Sequence, residues 1–92
     1  MTDRALPPGV TAARATPSLT VETVPPALRN AHHTTVWAEL VAERGAVLFI
    51  EEEPHWQVRV VAGASQAIAP NRKHHVEPEP DAEFHVQFFD VS

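Results

Sequence analysis

The chain has 92 residues, a formal net charge of −5, 43% hydrophobic and 21% charged residues, and no cysteine. That balance is globular rather than disordered, and the length fits one domain with a modest core. Disulfide stapling and thiolate metal sites are excluded, and an acidic chain lacks the basic footprint that nucleic acid requires.

Residues 1–10 read as a Pro-rich lead-in, with Pro7-Pro8-Gly9 as a turn or extended segment. Residues 11–24 lean toward strand and are broken at Pro17. Residues 23–30 predict at most one short helical turn, because Pro suits the first helical position and Asn30 can stop it. Residues 34–43 alternate, with Val36, Ala38, Leu40 and Ala42 on one face and Trp37, Glu39, Val41 and Glu43 on the other. Arg44-Gly45 turns into a second strand over 46–51. Glu51-Glu52-Glu53-Pro54 reads as a solvated polar break, since Pro54 cannot continue a central strand. A third alternating run, 55–61, puts Trp56, Val58 and Val60 together. Residues 66–70 and 74–77 are short strands, separated by the basic loop at Arg72-Lys73. The last run, 83–91, sets Phe84, Val86 and Phe88 against His85, Gln87 and Phe89.

Six or seven short strands with turn signals between them predict an all-β sandwich or barrel. The longest apolar run, 46–50, is far too short to span a bilayer, and residues 1–5 lack the basic and apolar regions of a signal peptide. The expectation is a single domain over 1–92, cytoplasmic, with no nucleic-acid or membrane partner. A cysteine-free barrel of this size exposes much apolar surface, which points to a homodimer.

Several segments together suggest a family. His32-His33-Thr34-Thr35-Val36-Trp37, then Val41-Ala42-Glu43-Arg44-Gly45, form a His-x-Thr element followed by a Trp strand and a Gly turn. Ala67-Ile68-Ala69-Pro70, His74-His75-Val76-Glu77-Pro78 and Phe84-His85-Val86-Gln87-Phe88-Phe89 follow in order. In this order the segments resemble the small cupins related to the extra N-terminal domain of some tellurite resistance B proteins (TehB-like). The resemblance covers nearly the whole chain. It implies a cupin-type jelly-roll β-barrel, a double-stranded β-helix, usually free-standing in bacteria. It implies no particular reaction, so whether the protein is an enzyme stays open. The methyltransferase part of the longer proteins has no counterpart here, because the chain is too short and lacks a Gly-rich nucleotide-binding loop.

A cupin site gathers ligands from separate strands inside the barrel, and imidazole suits zinc, iron and nickel. Adjacent strand residues point to opposite faces, so at most one of His32/His33 and one of His74/His75 points inward. The His-x-Thr spacing favours His32. The expected ligand set for a divalent transition metal is therefore His32, His74 and His85, with Glu77 or Gln87 as auxiliary groups. A small molecule or oxyanion would be the guest. The alternative is a metal-free small-molecule-binding or stress-response module without catalytic activity, its pocket walled by Trp37 and Trp56.

Overall fold

A computed structural model describes residues 4–29 and 34–91. Its elements are β1 (Val10–Ala15), α1 (Pro26–Arg29), β2 (Ala38–Arg44), β3 (Ala46–Glu51), β4 (Trp56–Val61), β5 (Ser65–Ile68), β6 (His74–Pro78) and β7 (Glu83–Val91). The strands form two antiparallel sheets, one ordered β1-β7-β2-β5 and the other β4-β3-β6. The fold is all-β with one turn of helix. No ladder joins the two sheets among the described residues, so the hydrogen bonding shows a two-sheet sandwich where a closed barrel was expected.

Period-two alternation decides what lies between the sheets. From the four-stranded sheet come Ala38, Leu40, Ala42, Ile68, Phe84 and Val86, all buried; from the three-stranded sheet come Val47, Phe49, Val60 and Val76. Leu19 and Val24, from the segment before α1, fill one side of the core, and Leu28 of α1 packs against it. The structure starts β2 at Ala38, not at residue 34; Thr35 and Val36 are exposed in the preceding loop. β3 ends at Glu51, matching the strand expected over 46–51, and the polar break starts at Glu52.

The β2–β3 turn needs Gly45. Its φ is +65°, and a Cβ there would lie 2.9 Å from Asp81 Oδ1 and 3.0 Å from Ala82 Cα. Tight joining at this turn aligns the two sheets end to end. The Ala42 end of β2 lies beside the Ala46 end of β3, so Ala38, Ile68 and Phe88 share the opposite end with Glu51, Trp56 and His74.

Candidate functional site

At that far end, three inward-facing side chains form one row across the smaller sheet. Glu51 of β3 is in register with Trp56 of β4 on one side and His74 of β6 on the other. Directly opposed residues of an antiparallel pair hold their Cβ atoms about 5 Å apart, so the three side chains are neighbours. Glu51 is 3% exposed and His74 1% exposed, the two buried polar residues among the described ones. Phe49 floors the row: its ring centroid is 5.5 Å from that of His74 and 6.3 Å from that of Trp56.

The chemistry of the row follows from its hydrogen bonds. His74 Nδ1 lies 2.9 Å from the Arg72 carbonyl oxygen. A carbonyl only accepts, so Nδ1 carries the proton and donates it. In the neutral ring Nε2 is then the lone-pair nitrogen, and it is fully buried. Metal-bound histidines are typically oriented by this kind of Nδ1–H to carbonyl bond. Beside it, Glu51 Oε1 is buried and makes no hydrogen bond among the described residues. Its cationic neighbour is Arg72 Nη1, at 3.6 Å and outside hydrogen-bond range.

The loops around this end are tied to one another. Glu52 N–H donates to the Lys73 carbonyl, and Asn71 N–H donates to the Thr34 carbonyl at 2.7 Å. The segment that resumes at Thr34 therefore enters the domain beside the Arg72–His74 stretch. Asn71 takes a positive φ of 62°, which lets the β5–β6 loop turn back into β6.

The expected histidine set divides. His32 and His33 lie outside the described residues. His74 is inside, and His75 faces outward, as strand alternation demands. His85 does not meet His74: the alternation that buries Phe84 and Val86 puts His85 on the outer face of the larger sheet, hydrogen-bonded through Nδ1 to Glu43. The auxiliary groups are also outside. Glu77 bonds His75 Nε2 at 3.2 Å, and Gln87 donates to the Arg14 and Phe88 carbonyls. No group of three or more His, Cys, Asp or Glu fit to hold a metal occurs among the described residues. Trp56 packs on the core, whereas Trp37 is half-buried on the loop before β2.

The sequence reads Glu51 as part of a solvated turn, and the structure buries it. The signal was present: residues 47, 49 and 51 share one face of β3, and the first two are core. The run of three glutamates disguised the first as part of a solvated turn.

A cleft of ≈ 290 Å³ lies elsewhere, lined by Val21, Arg29, Val76, Glu77 and Pro78. Its polar groups are already engaged, Arg29 with the Val21 carbonyl and Glu77 with His75, so it adds no free chemistry to the site.

Glu43 on the outer face links three elements. His85 donates to one of its oxygens and the Ser18 hydroxyl to the other, at 2.7 Å. The His85 bond first, then the Ser18 bond, hold the Glu43 carboxyl below its ordinary value. A carboxyl lowered in the folded state stabilises above the ordinary carboxylate range and loses that contribution as pH falls through the folded value. Both partners are partly solvated, so the contribution is under about 1 kcal/mol. Glu43→Gln is expected to lower stability by that amount at neutral pH and to flatten the acid limb. Urea unfolding between about pH 3 and about pH 7 reads both effects.

An all-β sandwich with a buried imidazole–carboxylate row at one end defines a small domain with one enclosed polar centre. Residues 14–86 match the TehB-like domain family, and the chain belongs to that family. Among solved structures, a protein from E. coli (strain K12) is 22% identical, with a TM-score of 0.89, over 96% of this chain and 88% of that one. TehB from Haemophilus influenzae is 20% identical with a TM-score of 0.81; the match covers 91% of this chain and 32% of that protein. At these identities the likeness is one of fold. No curated protein matches the chain. No helix among the described residues is long and apolar enough to cross a membrane.

Proposed function

We propose that this TehB-like domain is a cupin-type jelly roll that binds a divalent transition metal at its far end, through His74 Nε2 and Glu51. His32 or His33 is the third ligand in this reading. Those residues precede Thr34 by two and one positions, about 3.8 Å of chain each, and Thr34 is tied to the loop that leads into His74. A mixed imidazole and carboxylate set suits zinc, iron or nickel and leaves positions open for a small molecule. An oxyanion would enter only after the cation, because the carboxylate of Glu51 repels it otherwise.

The observation that carries the reading is the orientation of His74. Its Nδ1 is committed to a backbone carbonyl, and its lone-pair nitrogen is buried, in register with a carboxylate whose Oε1 makes no hydrogen bond among the described residues.

The test is metal uptake by the untagged full chain. After chelation and dialysis, titration with zinc or with cobalt as a coloured stand-in is expected to reach one metal per chain. His74→Ala is expected to abolish it with the far-UV spectrum unchanged. Uptake below about a tenth of an equivalent overturns the proposal and leaves the metal-free small-molecule-binding reading.

A further inference from the structure

We propose that residues 4–9 form a strap across the far end of the sandwich, latched by Arg4, and that its release gates entry to the Glu51–His74 row. The gating rests on that row being the binding site; the strap itself does not.

The two groups of the row are sealed. At 3% and 1% exposure, neither is open to a guest without movement of what covers it. The lead-in spans this end. Arg4 places its guanidinium carbon over the Trp56 ring, 4.3 Å from its centre, a cation–π contact. Its carbonyl oxygen accepts a hydrogen bond from Gln66 Nε2 at 3.0 Å. Trp56 lies on β4, the edge of the smaller sheet, and Gln66 on β5, the edge of the larger one. One residue thus bridges the seam between the sheets, and the aromatic face it covers belongs to the row itself.

From there the chain must reach the other edge of the larger sheet, where Val10 pairs with Val91. Val91 lies three residues beyond Phe88, the partner of Ala38, so this pairing is also at the far end. Three strand spacings separate β5 from β1, about 14 Å, and six steps of chain cover at most about 20 Å. The connection is short enough to be drawn over the end of the sandwich. Leu6 and Pro7 along it are half-buried. The two prolines stiffen the segment, and Gly9, at φ +87°, is the hinge that turns it into β1.

The experiment uses the full chain with Trp37→Phe, so that Trp56 is the one indole. Acrylamide quenching of Trp56 without metal reports the strap, and release of bound zinc to a chelator reports the gate. Arg4→Ala is expected to raise both rates about two- to fivefold, the shift that loss of one exposed cation–π contact permits. Gln66→Ala, which removes the second anchor, should do the same, and Arg4→Lys, which keeps charge but not the planar guanidinium, should fall between. Unchanged quenching in both Arg4→Ala and Gln66→Ala overturns the strap. Faster quenching with unchanged zinc release overturns the gate. If the parent chain takes up no zinc, the metal reading fails, and the quenching arm still decides whether residues 4–9 cover Trp56.

Discussion

Phe49→Ala is expected to lower the stability of the domain by about 3–5 kcal/mol, a large part of the whole for a chain of this size. Phe49 is 0% exposed and stands in the middle of β3, paired with Val58 on one side and Val76 on the other. Removing its ring leaves a cavity that the sheets cannot close, because β3 is the central strand of its sheet. The ring is also the floor beneath Trp56 and His74, so the same substitution frees the imidazole from its packing. Two readouts follow: an earlier urea midpoint, and a metal affinity that falls more than global stability alone explains. A loss under about 1 kcal/mol would show that the two sheets are not packed through this residue.

Glu51→Gln is expected to split its effects by state. In the metal-free protein it replaces a buried carboxylate with a neutral amide of nearly the same shape. Arg72, whose side chain is 32% exposed, can turn its charge to water. Relief of carboxylate burial then offsets the lost ion pair, and stability stays within about 1 kcal/mol or rises. In the metal-loaded protein a ligand charge is gone, and affinity falls by more than about tenfold, the scale that supporting residues around a metal already reach. Urea unfolding of the chelated protein and competition titration with zinc separate the two. A destabilisation above about 2 kcal/mol with unchanged zinc affinity would make Glu51 a structural partner of Arg72 and nothing more.

Much of the architecture was legible in the residues because strand alternation is a local property. The core faces of β2, β4 and β7 and the extent of β7 follow from period two, the extent of β3 follows from its apolar run between Gly45 and the acidic turn, and Pro26 opens α1 where a proline fits. Grouping residues from separate strands goes further than that local pattern. The expected set puts His85 in a common interior with His74, whereas Phe84 and Val86 pointing inward on its own strand send it outward. The acidic residues beside Glu51 in sequence read as a solvated turn, whereas its neighbours in space are Phe49, Trp56 and His74.

The order of apolar and polar residues by itself determined that this is an all-β domain, which side chains of each strand point together, and that at most one of His74 and His75 faces inward. Side-chain direction is set by the backbone pleat and needs no partner strand. Only the tertiary structure decided which of the two it is, that its Nδ1–H donates to the Arg72 carbonyl, that Glu51 lies opposite it, and that Arg4 reaches Trp56 from across the chain. Those are matters of register and of sheet closure, fixed by hydrogen bonds between segments far apart in sequence, and no local pattern encodes them.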